Sequence, residues 1–538
     1  MADSTQPLLS DSNSSESKLP PPRSLDETIE QCIGNFGWAQ FLQAALVSFA
    51  WVFDAQQTFI TVFTDSEPTW HCLDSDRCNS SSNLCTLPNE TWSWDFNPHV
   101  STISEWGLQC AGSLVKGLPA SSFFLGCLIG GLALSTLADS SVGRKNMLLL
   151  SCLIMSLSSM LTAFSTSIWV YAFLRFLNGF GRATVGTCAL VLSTELVGKK
   201  WRGQVGAMGF LCFTLGFLTL PLLGYISNGN SWRYLYVWTS IPTLIYCCLV
   251  RCFVWESPRW LIVKGRKEEA VSILHSIGSS NAITMSFSNL CLDVQESSNP
   301  DVYDALRILV KKPWSLKRLL AVMAVGFGIG MVYYGMPLTL SNLNFNLYLG
   351  VVFNALSELP AFLITFFFMN TIKRREALIG FTALSGISSV LIASLGRQIG
   401  SLQIVLELVS FFSACTAFNM TLIYTIELFP TCVRNSALAM VRQALVFGGV
   451  FSPVMVAAGR ENQFWSYGMF GLVIGLFGLF VVGLPETRGS VLCDTMDEEE
   501  TKNLTKEHII AKDIKKKLRL LDRHCWNVAK DQSENNND

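Results

Sequence analysis

Charge is scarce in this sequence. Of its 538 residues, 15% are Asp, Glu, Lys or Arg, where an ordinary soluble domain carries about 25%. The formal net charge is -1. No basic cluster stands apart from an apolar run, which excludes a nucleic-acid-binding surface. Histidine is scarcer still, with five residues at 71, 99, 275, 508 and 524. None sits within an apolar span or beside a plausible catalytic nucleophile, and none shows metal-ligand spacing. No catalytic centre, metal site or cofactor is therefore expected, and the chain does not read as an enzyme. The first 35 residues are polar and lack the apolar core of a cleaved signal peptide. The first apolar run is then expected to direct insertion itself.

What the sequence has is apolar length. Half of the residues are hydrophobic and the mean hydropathy is +0.38. A run of about 20 such residues crosses a bilayer as a helix. Twelve runs qualify: 41–63, 114–137, 147–164, 168–191, 205–226 and 233–253, then 319–340, 348–369, 377–396, 402–425, 437–458 and 464–484. They divide the chain into a polar tail (1–40), a six-helix half (41–254), a charged hinge (255–318), a second six-helix half (319–484) and a second tail (485–538). A short helix is expected in the hinge at Lys267–Ile277. Pro119, Pro221, Pro337, Pro360 and Pro453 are expected to bend their spans.

The polar punctuation repeats. Arg144-Lys145, Glu195-x6-Arg202 and Glu256-Ser-Pro-Arg259 recur as Arg374-Arg375, Glu427-x6-Arg434 and Glu486-Thr-Arg488. A duplicated six-helix unit implies an all-α integral membrane protein, a transporter built from two pseudo-symmetric six-helix halves. Lys and Arg crowd alternate loops, which predicts that both termini are cytoplasmic. The long loop at about 64–113 is then exterior. It holds Cys72, Cys78, Cys85 and Cys110, read as two disulfides of open connectivity, and two glycosylation sequons at Asn79 and Asn89.

Trp255-Glu-Ser-Pro-Arg-Trp-Leu261, Tyr424-Thr-Ile-Glu-Leu-Phe-Pro-Thr-Cys-Val-Arg-Asn435 and Leu484-Pro-Glu-Thr-Arg-Gly489 resemble the organic ion transporters of the major facilitator superfamily. Asp139-Ser-Ser-Val-Gly-Arg-Lys145 resembles that superfamily's loop between helices two and three; the resemblance implies the major facilitator fold, with twelve transmembrane helices, and a secondary carrier. Phe36-Gly-Trp-Ala-Gln-Phe-Leu42 and Phe53-Asp-Ala-Gln-Gln-Thr-Phe59 look like the plant organic cation/carnitine transporters. The sequence departs from the pattern in four places. The 139–145 loop is one residue longer than usual, and its counterpart Asn370–Arg375 has neither the Asp nor the Gly. The charged position of helix eleven is Val446, with Arg442 one turn earlier. Gly326 stands where the family has a Trp, ahead of Tyr333-Tyr-Gly335.

A charge near the bilayer centre costs about 2.5–3.5 kcal/mol on insertion scales, so each needs a role. Asp54 and Glu358 are assigned to a central substrate cavity, Glu358 also because the resemblance implicates a helix-eight acid in cation binding. The alternative for Asp54 is a buried pair with Arg442 or with an arginine of helix four, Arg175 or Arg182. Glu407 lies nearer the outer end of helix ten. Trp51, Tyr333 and Tyr334 could offer ring faces to a methylated ammonium, and Arg442 could anchor a carboxylate. Asp139 with Arg144, Glu195 with Arg202 and Glu427 with Arg434 are expected as gating ion pairs. Gly181, Gly186 and Thr187 have partial nucleotide-loop spacing but lack its Lys. Close helix packing explains them better.

The sequence thus predicts a carrier for a small organic cation or a zwitterion such as carnitine, coupled to H+ or Na+, acting as a monomer. The plasma membrane is favoured, with the vacuolar membrane as the alternative. Besides membrane lipid, which Lys515–Lys517 and Arg519 could touch, no macromolecular partner is expected. A porter of sugars or other neutral solutes, and a non-transporting receptor or scaffold, are the competing readings.

Overall fold

A computed structural model describes residues 33, 36–74, 78, 84–88, 90–139, 142–277, 302–343, 345–368, 371–395, 400–489 and 493–502. Eleven of its helical segments are long and apolar enough to cross a membrane: Trp38–Thr64, Ser113–Leu134, Arg144–Thr162, Lys199–Ile226, Arg233–Phe253, Pro313–Asn342, Leu347–Phe368, Arg374–Leu395, Ser401–Leu428, Arg434–Ala458 and Gln463–Gly483. The twelfth expected span, fourth in order, is broken into Ile168–Arg182 and Val185–Glu195. The break falls at Ala183-Thr184, where the Thr184 hydroxyl meets that of Ser151 on the third span at 2.6 Å. The hinge helix is Lys267–Ile277, as expected. All five span prolines lie inside helices.

Several helices begin in polar residues that hydropathy alone leaves outside. Arg144 opens the third and Arg374 the ninth. Successive spans run up and down, so the loops gather at two ends. One end carries the Lys- and Arg-rich loops; the other carries the long loop. We refer to these as the basic end and the disulfide end.

The long loop is ordered by its own contacts. Strand Trp70–Cys72 pairs antiparallel with Trp92–Trp94. Disulfides join Cys72 to Cys78 and Cys85 to Cys110. Glu105 docks the loop onto the sixth span through an ion pair with Arg233 and a 2.7 Å bond from the Trp232 indole. Asn79 and Asn89, the expected glycosylation sites, lie outside the described residues, as does the basic tail stretch Lys515–Arg519.

Helix packing in an apolar solvent depends on close backbone approach, and glycines supply it. A Cβ on Gly179 of the fourth span would sit 1.9 Å from the Phe123 carbonyl oxygen of the second. On Gly216 of the fifth span it would sit 2.2 Å from the Val52 oxygen of the first, and on Gly330 of the seventh 1.9 Å from the Leu445 oxygen of the eleventh. The two halves meet where the second span packs on the eleventh and the fifth on the eighth. At the first seam Gly117 approaches the Val454 backbone; a Cβ there would be 2.8 Å away.

Candidate functional site

Glu358 sits on the eighth span at the seam between the halves. It is 9% exposed. Tyr333 of the seventh span donates its hydroxyl to Oε1 at 2.9 Å, and Thr214 of the fifth span donates to Oε2 at 3.3 Å. One carboxylate is thus held from both halves, by neutral hydroxyls only. Tyr333 in turn is walled by aromatic rings: Phe418 at 4.7 Å, Phe411 at 5.8 Å and Phe59 of the first half at 6.5 Å. Tyr334 packs on Phe124 across the seam at 4.7 Å.

Asp54 has a cation of its own. Its carboxylate pairs with Arg182 of the fourth span, Nε to Oδ1, with Nη2 to Oδ2 at 3.3 Å. Of the partners the sequence left open, Arg182 is the one found. Arg175 lies elsewhere in the first half, fully buried, donating to the Gln57 carbonyl at 3.1 Å and stacked over Phe123 at 4.2 Å. Arg442 of the eleventh span is left over. Its Nε is buried and has no hydrogen-bond partner among the described residues. Across the seam, then, Asp54 and Arg182 cancel, while Glu358 and Arg442 remain as one anion and one cation without an ionic partner among the described residues.

Trp51 lies on the first span. It fills the space over two bare glycines, Gly186 and Gly209, and contacts Phe210 and Phe213. Gly181 lies against Met155 and Ile154 of the third span, and the Thr187 hydroxyl bonds back to the Thr184 carbonyl at 3.1 Å. The small residues of the partial nucleotide motif thus serve helix contacts inside the first half.

At the basic end the ion pairs differ from the expected ones. Glu195 lies 3.9 Å from Arg144, not beside Arg202. Glu427 is held by Arg374 at 3.1 Å, not by Arg434. Arg434 instead donates to the Phe429 carbonyl at 3.4 Å. Both pairs join the start of the third or ninth span to the end of the fourth or tenth, inside one half. The reason is reach: Arg202 and Arg434 open the next helix beyond the turn, whereas Arg144 and Arg374 face the glutamates across the bundle. The Asp139 side chain lies outside the described residues.

Two carboxylates of the repeated motifs have a role that the sequence reading missed. Glu256 accepts from the backbone N–H groups of Arg144, Lys145 and Ser257 at 2.9–3.0 Å. Glu486 accepts from Arg374, Arg375, Thr487 and Arg488 at 3.0–3.1 Å. Each carboxylate caps the free N–H groups that begin a helix, where the helix dipole also favours negative charge. Gly143, at φ +86°, makes room: a Cβ there would lie 2.5 Å from Glu256 Oε2. Burial pushes the Glu486 carboxyl up, but the backbone donors outweigh it and hold it below the ordinary value of 4.5. The signal was available in the spacing, since capping residue and capped helix are 112 positions apart in both halves.

At the disulfide end the halves are tied. Arg460 of the second half reaches Glu67 at 3.5 Å and the Asp65 carbonyl at 2.9 Å. Tyr348 of the second half stacks on Phe63 at 5.5 Å and meets Tyr225 edge-on at 5.7 Å.

Twin six-helix halves closed around a polar seam define a membrane carrier of the major facilitator type. The solved structures agree on the fold: the chain superposes on the inward open xylose transporter XylE of E. coli with a TM-score of 0.60 at 18% identity, covering 84% of this chain and 97% of that one. The family model described as sugar (and other) transporter matches residues 71–497. The chain belongs to this family and, within it, to the organic cation/carnitine transporters. It is 85% identical over 518 residues, 95% of its length and 100% of the relative's, to organic cation/carnitine transporter 3 of Arabidopsis thaliana. It is 69% identical to transporter 2 of the same plant, covering 94% of this chain and 98% of that one. Identity to the human organic cation/carnitine transporter 2 is 30%, covering 76% and 73% of the two chains.

Proposed function

We propose that the protein carries a small organic cation or a zwitterion such as carnitine by alternating access, with H+ or Na+ as the coupling ion. The observation that carries this reading is the charge left uncompensated at the seam. Among the described residues Glu358 has only hydroxyl partners and Arg442 Nε has none. A quaternary ammonium would neutralise Glu358 beside the Tyr333 ring, where ring faces attract such cations. A carboxylate on the same molecule would meet Arg442. A neutral sugar leaves both charges bare, which disfavours that reading.

Tyr333 and Thr214 reach Glu358 from opposite halves, so a ligand that displaces them changes how the halves meet. The tie of Arg460 to Glu67 and the Tyr348 clamp serve as the gate at the disulfide end, which we take as exterior. The Arg144–Glu195 and Arg374–Glu427 pairs, with the two capping glutamates, fasten the basic, cytoplasmic end of each half into a unit that moves as one body. The plasma membrane is the favoured site, and a monomer is sufficient for the cycle.

Uptake of labelled carnitine, tetraethylammonium and xylose into proteoliposomes at varied pH and Na+ tests the reading. Carnitine or the cation should enter and xylose should not. Entry of xylose alone would reverse the assignment.

A further inference from the structure

The tenth span carries a carboxylate that the site above does not use. Glu407 is fully buried, as is Asn354 of the eighth span. Asn354 Nδ2 donates to Glu407 Oε1 at 3.0 Å. Among the described residues Glu407 Oε2 has no hydrogen-bond partner, and neither has Asn354 Oδ1. Two acceptor oxygens without a donor are thus held together on neighbouring helices. Unpaired buried polar atoms are costly, so the arrangement needs a ligand that supplies a donor.

We infer that Glu407, read by Asn354, is the site at which a coupling proton binds. The inference rests on the carrier reading above and commits its coupling ion to H+. A proton on Glu407 converts an acceptor-only carboxylate into a donor, and the Asn354 amide can present its oxygen by turning over. Hard metal cations such as Ca2+ or Mg2+ take six or more oxygens, and two unpartnered oxygens meet here.

The groups around Glu407 leave it without a counter-ion. The eighth span offers Asn354 and, one turn on, Glu358. The seventh offers Tyr333, and the twelfth offers Tyr467, whose hydroxyl already donates to the Thr339 carbonyl at 3.3 Å. On its own helix the titratable neighbour is Cys415. The ninth span offers Ser385 and Ser389, which bond to Ser410. The eleventh span packs against the tenth, and its Arg442 makes no ion pair with Glu407. Among the described residues no Lys, Arg or His pairs with Glu407.

Depth and connection fit a coupling site. Asn354 and Glu407 lie seven residues in from Leu347 and Gly400, where their helices begin at the disulfide end, about 10 Å along each axis. Asn354 and Glu358 are four residues apart on one helix face. Phe411, one turn beyond Glu407, stacks on Tyr333 at 5.8 Å, and Tyr333 holds Glu358. Protonation of Glu407 is therefore felt at Glu358 through the amide on one side and through the ring stack on the other.

The test uses the full chain in proteoliposomes, with the membrane potential clamped and an internal pH dye. Labelled carnitine is the probe. Wild type should exchange carnitine at equal pH, accumulate it on a pH gradient and move protons as it does so. Glu407→Gln should keep exchange and lose both accumulation and proton movement. Accumulation by Glu407→Gln at the wild-type level would overturn the inference. So would wild-type exchange without proton movement, with the carrier reading left intact; absence of exchange of carnitine and of tetraethylammonium by wild type would sink the carrier reading itself. If Glu407→Gln does not fold, Asn354→Ala decides. Loss of the amide donor favours the protonated carboxyl, so the pH midpoint of uptake should rise by about one unit, a tenfold fall in proton concentration, the effect of one charge-assisted hydrogen bond. An unmoved midpoint overturns the inference.

Discussion

At the residue scale the buried charges sort by partner. Asp54 with Arg182 is a satisfied pair, 3% and 12% exposed. Removing one member of such a pair leaves an uncompensated charge, at a cost of about 3–5 kcal/mol. Asp54→Asn and Arg182→Gln should each lower the melting temperature of the purified protein markedly, and the double variant should recover part of the loss. Additive losses in a thermal-shift assay would mean that the two side chains are not a pair. The sequence placed Asp54 at mid-membrane and included Arg182 among its possible partners, because arginines seven residues apart share a face. It could not choose between Arg175, Arg182 and Arg442, since that choice depends on the rotation of the fourth span about its axis. For Glu358 the depth was legible, whereas its donor Thr214 was not: a Thr inside an apolar run carries no signal until the fifth and eighth spans are brought together.

At the element scale the repeated motifs act as fasteners. Glu256 and Glu486 cap the third and ninth spans, and Glu427 holds Arg374. Loss of a capping carboxylate typically costs about 1–2 kcal/mol, so Glu486→Ala should destabilise the second half by that order, read as a fall in melting temperature. The pH dependence has a definite sign. Because the folded-state value for Glu486 is depressed, its contribution is present above the ordinary 4.5 and is lost as pH falls through the depressed value. Glu427→Gln should slow net carnitine transport more than it weakens carnitine binding. The swap Glu427→Arg with Arg374→Glu should restore part of the rate, whereas a swap with Arg434 should not. Uptake rates alongside equilibrium binding separate these outcomes. The repeat itself was visible in the sequence, as were the helices it punctuates. The partners were not, because Glu-x6-Arg invites a local pairing and the bundle supplies a nearer arginine from another helix.

At the scale of the whole molecule, hydropathy and the duplicated punctuation were enough for twelve helices in two halves. The break in the fourth span was not legible, because Ala183 and Thr184 are unremarkable in a helix. The four loop cysteines promised two disulfides and left three pairings open; the structure joins Cys72 to Cys78 and Cys85 to Cys110. Thiol counting on the denatured protein should find four fewer reactive groups before reduction than after. An equal count would remove the disulfides from the account.

The central claim is that Glu358 and Arg442 are a split ionic site for a substrate bearing an ammonium, a carboxylate or both. The most direct measurement compares the affinity of Glu358→Gln and Arg442→Gln for tetraethylammonium and for carnitine, with wild-type delivery to the membrane verified. A charge-assisted contact of about 1.5–3 kcal/mol corresponds to roughly 10- to 150-fold in affinity. Glu358→Gln should lose about that much for tetraethylammonium and less for carnitine, which keeps its second anchor. Arg442→Gln should weaken carnitine and spare tetraethylammonium. Wild-type affinity for both ligands in both variants would contradict the account.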